Sequence, residues 1–169
     1  NFVVEGFYTD LNNPFILSDA EELDNGVSVV TKRNGEGATI SGVNLEANVA
    51  ITNKWVVQAG GTLQQALYDV EEVVWSSEET GETISTSRLL RTPNAYGFGS
   101  VVYSPTQDFS VAYSGVITGT MDVAHVVDPE TEMTLIKSTP AFFEQNIKLS
   151  YSVATGDDKI EFSAGVKNL

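Results

Sequence analysis

The sequence predicts an all-β chain: an antiparallel up-and-down meander of about seven long strands, forming a partial segment of a transmembrane β-barrel. Three observations carry this. Apolar and polar residues alternate with period two over stretches of ten residues or more. The connections between those stretches alternate short and long. The second face of each stretch is polar but carries few charges. Strands of globular proteins run about 5–6 residues, whereas a tilted membrane crossing by a strand needs about 9–11.

Taken in order, Phe2–Thr9 is the first strand. Ala38–Ile51 sets Val43, Leu45, Ala47, Val49 and Ile51 against Asn44, Glu46 and Asn48. Val27–Lys32 extends this second strand backwards through Asn34-Gly35-Glu36-Gly37, read as a bulge, with a hairpin turn there as the alternative. Trp55–Tyr68 places Val57, Ala59, Gly61, Leu63 and Leu67 opposite Gln58, Thr62 and Gln64. Ala95–Ser104 is a strand whose faces the pattern does not assign. The longest alternation starts at Phe109 and runs through Val111, Tyr113, Gly115, Ile117, Gly119 and Met121 to Val123, a strand of about fifteen residues. Phe143–Val153 and Lys159–Lys167 follow, the latter with Ile160, Phe162, Ala164 and Val166 on one side. Because side chains alternate along a strand, Val57, Leu63, Val111, Ile117, Leu149, Tyr151, Ile160 and Phe162 are expected on one common face.

Short connections fall at 52–54, 105–108 and 155–158, and long ones at 17–26, 69–94 and 124–140. Short turns on one edge and long loops on the other are the plan of an outer-membrane barrel. A Greek-key sandwich mixes its connection lengths less regularly. A soluble extracellular β-sandwich acting as an adhesin or carbohydrate binder is the alternative, and it requires buried or charged faces without a continuous apolar band.

Composition narrows the function classes. The formal net charge of −14 argues against nucleic acid as a partner, because phosphate contacts need Lys and Arg. With no cysteine among 169 residues, disulfide frameworks, thiolate nucleophiles and Cys-ligated zinc are excluded. No stretch reaches the roughly 18 uninterrupted apolar residues of a transmembrane helix. The chain opens and stops directly on strand patterns, so residues 1–169 are expected to be one part of a longer barrel domain.

Several ordered stretches resemble the TonB-dependent outer-membrane receptors, most closely those of Bacteroidetes-type bacteria. Gly6-Phe7-Tyr8-Thr9-Asp10-Leu11-Asn12-Asn13-Pro14-Phe15 is similar to an ascending strand entering an outer loop. Asn34 to Ala38 and Gly42-Val43-Asn44-Leu45-Glu46 resemble the family's descending strand, with Asn44 where Glu is common. Arg88-Leu89-Leu90-Arg91-Thr92-Pro93, Ser114 to His125, Thr139 to Glu144 and Gly165-Val166-Lys167-Asn168-Leu169 continue the likeness in the family's order. The resemblance implies seven strands from the C-terminal part of a 22-stranded barrel, without its plug or its final strand. It further implies active uptake of a scarce, bulky nutrient (ferric siderophore, cobalamin or oligosaccharide) across the outer membrane of a Gram-negative bacterium. The implied partners are outer-membrane lipid, the nutrient ligand, the TonB complex through the plug, and a surface lipoprotein.

Individual side chains give weaker signals. Arg88 and Arg91 have the chemistry to grip an anionic ligand, or else to neutralise the acidic loop beside them. His125, the single histidine, near Asp122 and Asp128, is either a metal ligand without a second imidazole or a solvated loop residue. Arg88, Arg91 and His125 are thus the candidate ligand or partner contacts of the outer loops. Trp55 and Trp75 flank one strand and are read as members of two aromatic girdles or as ordinary packing. Glu71-Glu72 and Glu78-Glu79 are paired carboxylates without a shaped pocket, and Asp128-Pro129-Glu130 offers oxygen ligands for calcium without EF-hand spacing. No P-loop, dinucleotide fingerprint or Ser-His-Asp order is present. No enzyme activity, catalytic residue or cofactor is expected.

Overall fold

The computed structural model describes residues 1–17, 21–22, 27–29, 31–77, 80–128 and 133–169. Its body is one antiparallel sheet of seven consecutive long strands with an eighth, short strand attached. The long strands are β1 (Phe2–Leu11), β6 (Ala38–Ala50), β7 (Trp55–Ser76), β9 (Ala95–Tyr103), β10 (Phe109–Thr118), β13 (Phe142–Thr155) and β14 (Asp158–Lys167), and they pair in that order. Each strand pairs with its neighbour along the meander, without crossover. The eighth strand, β8 (Thr83–Arg88), pairs with the far end of β7.

The remaining strands belong to the long connections. β2 (Phe15–Leu17) pairs with β5 (Lys32–Asn34), and β3 (Glu21–Glu22) with β4 (Ser28–Val29). The β1–β6 hairpin therefore continues outward through two further ladders. Gly35 N–H donating to the Pro14 carbonyl at 2.8 Å links the first of these to the main sheet. Val27–Lys32 does not continue β6 within the main sheet: Ser28–Val29 and Lys32–Asn34 belong to separate two-stranded ladders, and the break from β6 lies at 35–37. Gly37 has φ 145°, and a Cβ there would run into the Asp69 carboxylate, so only glycine fits. β11 (Asp122–Asp128) and β12 (Met133–Ser138) form a separate hairpin.

Two other sequence expectations need correction. The fifteen-residue strand from Phe109 ends at Thr118, and Asp122 begins a different ladder. Side-chain alternation passes through Met121 undisturbed, but the backbone leaves the sheet after Gly119, whose N–H bonds the Ala95 carbonyl at 2.8 Å. The Asp122 carbonyl then accepts the Arg91 N–H at 2.8 Å. Second, the connection 69–94 is not all loop. β7 runs on to Ser76 and folds back as β8, with register shifts that give the hairpin its own course.

The sheet is a single layer. Among described hydrophobic residues only Ala38 and Ala66 are buried, and no large side chain is fully enclosed. Leu63 (64% exposed), Phe162 (60%) and Ile117 (51%) all stand open. A soluble sandwich would cover such residues with a second sheet; the described residues supply none. On its outer sides β1 and β14 have no strand partner among the described residues, which leaves two rows of backbone donors and acceptors for another chain to pair.

Candidate functional site

Cross-strand register places Trp55, Tyr103, Val111, Leu149 and Ala164 in one row, and Val57, Val101, Tyr113, Ile147 and Val166 in the next. Directly opposed residues share a face, so these rows form one apolar face. Val57, Leu63, Val111, Ile117, Leu149, Tyr151, Ile160 and Phe162 all belong to it. Register also settles β9: Ala95, Gly97, Gly99, Val101 and Tyr103 are on the apolar face, with Tyr96, Phe98, Ser100 and Val102 opposite. At the short-turn end the Trp55 and Tyr103 rings stack, 4.3 Å between centroids. Where Gly61 and Gly97 leave the middle of the face thin, Leu45, Leu63 and Ile117 wall a shallow depression of about 460 Å³.

The apolar face carries a few polar side chains, Ser41 opposite Gln65 among them. Tyr113 donates its hydroxyl to Gln145 Oε1 at 2.6 Å. The other face behaves differently. Asn44 Nδ2 donates to Glu5 Oε2 at 3.1 Å and Asn44 Oδ1 accepts from Thr62 Oγ1 at 2.8 Å, a chain across three strands. Gln58 Nε2 donates to Glu46 Oε1 at 3.1 Å, Gln64 Nε2 to the Pro93 carbonyl at 2.9 Å, and Lys148 lies 3.8 Å from Glu161. Groups that find donors and acceptors along a sheet face suit a wetted surface, whereas the opposite face is mostly apolar.

The long-connection end is tied together by ion pairs between hairpins distant in sequence. Arg33 of β5 meets Glu72 of β7. Arg88, at the end of β8, lies 3.3 Å from Asp122 Oδ2, while Ser138 donates to the other carboxylate oxygen. Arg88 is therefore paired with a carboxylate of the β11–β12 hairpin. Arg91 is exposed and has a left-handed backbone, φ 59°; its backbone N–H donates to the Asp122 carbonyl at 2.8 Å. His125 is exposed on β11 opposite Leu135. The three candidate contacts thus lie at the same end of the sheet. The described residues bring no three metal-ligating side chains together. Glu71 accepts a hydrogen bond from Ser85 at 2.7 Å and Glu72 pairs with Arg33, so these two carboxylates serve separate partners. Glu78, Glu79, Pro129 and Glu130 lie outside the described residues.

Trp75 lies too far from Trp55 for the two to mark the opposite girdles of one membrane crossing. Both are in β7, twenty residues apart. At about 3.3 Å per residue that is roughly 66 Å of strand, far beyond a barrel's apolar band of about 25 Å even when tilted. Trp75 lies instead in the hairpin opposite Ile84. Sequence reading missed the Glu5–Asn44–Thr62 chain and the role of Asp122 as the joint between hairpins. The register signal needed to find the first was present only as three polar residues on separate strands.

No protein-family model matches the chain, and no curated protein matches it. Solved structures do. The ferric-catecholate import receptor Fiu from E. coli aligns with 99% of this chain over 21% of its own length, at 22% identity and a TM-score of 0.60. The ferric enterobactin receptor PfeA from Pseudomonas aeruginosa aligns with 98% over 23% of its length, at 14% identity and 0.61. The siderophore receptor PirA from Acinetobacter baumannii aligns with 99% over 25% of its length, at 14% identity and 0.65. The chain spans a quarter or less of the length of each. Identities this low establish architecture alone: the chain has an all-β, antiparallel fold that matches part of a receptor barrel.

Proposed function

We propose that this chain forms part of the wall of a TonB-dependent outer-membrane receptor that takes up a scarce, bulky nutrient in a Gram-negative bacterium. The observation that carries the reading is the two-faced single layer. One face is predominantly apolar from the Trp55–Tyr103 stack through Leu63 and Ile117, and the other is laced with side-chain hydrogen bonds. A bilayer is the solvent for which such a sheet is suited, provided its edges are paired in a closed barrel. The likeness to receptors whose names specify ferric-catecholate import, ferric enterobactin and siderophore supports an uptake role over a catalytic one.

In this reading residues 1–169 belong to one barrel domain, the short turns face the periplasm and the hairpin end faces outward. The polar face looks into the lumen toward a plug, through which the TonB complex acts. Arg91 and His125, exposed on the outer rim, are the stronger of the candidate ligand or lipoprotein contacts, because Arg88 is held by Asp122. Ferric siderophore, cobalamin and oligosaccharide remain the ligand classes. The Bacteroidetes-type affinity rests on the ordered motifs from Gly6 to Leu169, while the matching structures come from other bacteria.

The test is assembly. The chain, expressed within its barrel, should migrate as a heat-modifiable species in detergent and fractionate with outer membranes. Soluble, heat-insensitive monomers would sink the reading.

A further inference from the structure

Polarity on the apolar face is graded along the strands. Phe2, Leu45, Leu63 and Ile117 wall a groove of about 460 Å³ floored by Gly61 and Gly97, within the range of about 300–1,000 Å³ for ligand sites. Its walls come from five adjacent strands of this chain, β1, β6, β7, β9 and β10. The next row outward on the same face is Tyr8–Ser41–Gln65, three neutral hydrogen-bonding side chains. None of the three makes a side-chain hydrogen bond among the described residues. The row after that is Asp10–Thr39–Leu67–Arg88. There Arg88 is engaged by Asp122 at 3.3 Å, whereas Asp10 is exposed and has no cation partner among the described residues.

An apolar groove, then a neutral polar row, then a charged row is the depth profile of a membrane lipid from tail to headgroup. Leu63 and Leu67 are four residues apart, about 13 Å of strand. At a tilt of about 45° that is roughly 9 Å of depth, comparable with a headgroup layer of about 5–8 Å. Bulk lipid tails are as apolar as leucine, so a lipid is held here by van der Waals packing. A groove left unfilled forfeits contacts that a fitted acyl chain restores. Above the tail, Ser41 and Gln65 have donors for ester carbonyls. At headgroup depth the Asp10 carboxylate attracts an ammonium and repels a headgroup of net negative charge. We propose that this groove holds a zwitterionic diacyl phospholipid, with a tail over Gly61 and Gly97, its esters at Ser41 and Gln65, and its ammonium at Asp10. The inference rests on the receptor reading, in which this face meets lipid.

The intact receptor is delipidated in detergent and titrated with phosphatidylethanolamine, with phosphatidylglycerol of the same acyl chains, and with lipopolysaccharide. Bound lipid is read by native mass spectrometry. Heat-modifiable migration is checked first; its absence counts against the receptor reading itself, separately from the lipid site. With the barrel assembled, phosphatidylethanolamine should be retained about fivefold more tightly than phosphatidylglycerol. Gly61→Leu should abolish that retention by filling the groove. A Cβ at Gly61 meets nothing closer than 3.4 Å, so the added side chain finds room without displacing backbone. Ala164→Leu, on the same face outside the groove, should retain the lipid unchanged. Asp10→Asn adds no bulk and should bring the two phospholipids to equal affinity; if Gly61→Leu does not assemble, this variant carries the test alone. No retained lipid, retention unmoved by Gly61→Leu or lost equally in Ala164→Leu, a preference for phosphatidylglycerol or lipopolysaccharide, or a preference that survives Asp10→Asn would each overturn the proposal.

Discussion

Phe98 lies across Gly60 on the polar face, directly opposite it in the β7–β9 register. A Cβ at Gly60 would stand 2.6 Å from the ring's Cε1 and 3.2 Å from the Leu45 carbonyl. The aromatic ring thus covers backbone that glycine leaves bare, and Phe7 covers Gly42 in the same way one hairpin earlier. Gly60→Ala must displace that ring, at about 1–3 kcal/mol for overpacking. The folded fraction in a urea titration of the barrel should fall, and adding Phe98→Ala should restore part of the loss. A double variant no better than Gly60→Ala alone would show that the ring is not the obstacle.

Gly37 should tolerate substitution even less. Its φ of 145° is rarely adopted by other residues, and a Cβ would meet the Asp69 carboxylate. Gly37→Ala relieved by Asp69→Ala would still carry the backbone strain, of order 1–3 kcal/mol. The double variant should therefore recover only partly in the same titration, and full recovery would locate the whole cost in the side-chain clash.

Ile117 and Thr118 are neighbours on opposite faces, paired with Phe143 and Phe142 respectively. If lipid covers the apolar face, Ile117→Arg costs about 2–4 kcal/mol near the midplane, while Thr118→Arg points into a wetted interior. Heat-modifiable barrel should be sharply reduced for the first and near normal for the second. Equal yields would argue for a different architecture.

Arg88 and Asp122 form an exposed pair, with the guanidinium side chain 62% accessible. Such pairs contribute about 0–1 kcal/mol, so Arg88→Ala should barely move the unfolding midpoint. Asp122 has a second side-chain partner in Ser138. Asp122→Ala should therefore cost more than Arg88→Ala, read as faster hydrogen exchange in the β11–β12 hairpin. The reverse ranking would mean that Asp122 is not the joint between these hairpins.

The sequence by itself determined the seven long strands of the main sheet, the common apolar face and the alternation of short and long connections. Those features follow from a period of exactly two residues per repeat, which a reader can count: Val111, Tyr113 and Ile117 share a face whatever surrounds them. It did not determine the faces of Ala95–Ser104, because glycines on one side and aromatics on the other give no contrast; only pairing with Val57 and Tyr113 oriented that strand. Nor did alternation reveal the bend after Gly119, since side-chain pattern is blind to a backbone that leaves the ladder while keeping its parity. The rim lay further out of reach. Arg33 with Glu72 and Arg88 with Asp122 are 39 and 34 residues apart, and such contacts depend on where hairpins of unequal length lean, which only the tertiary structure decided.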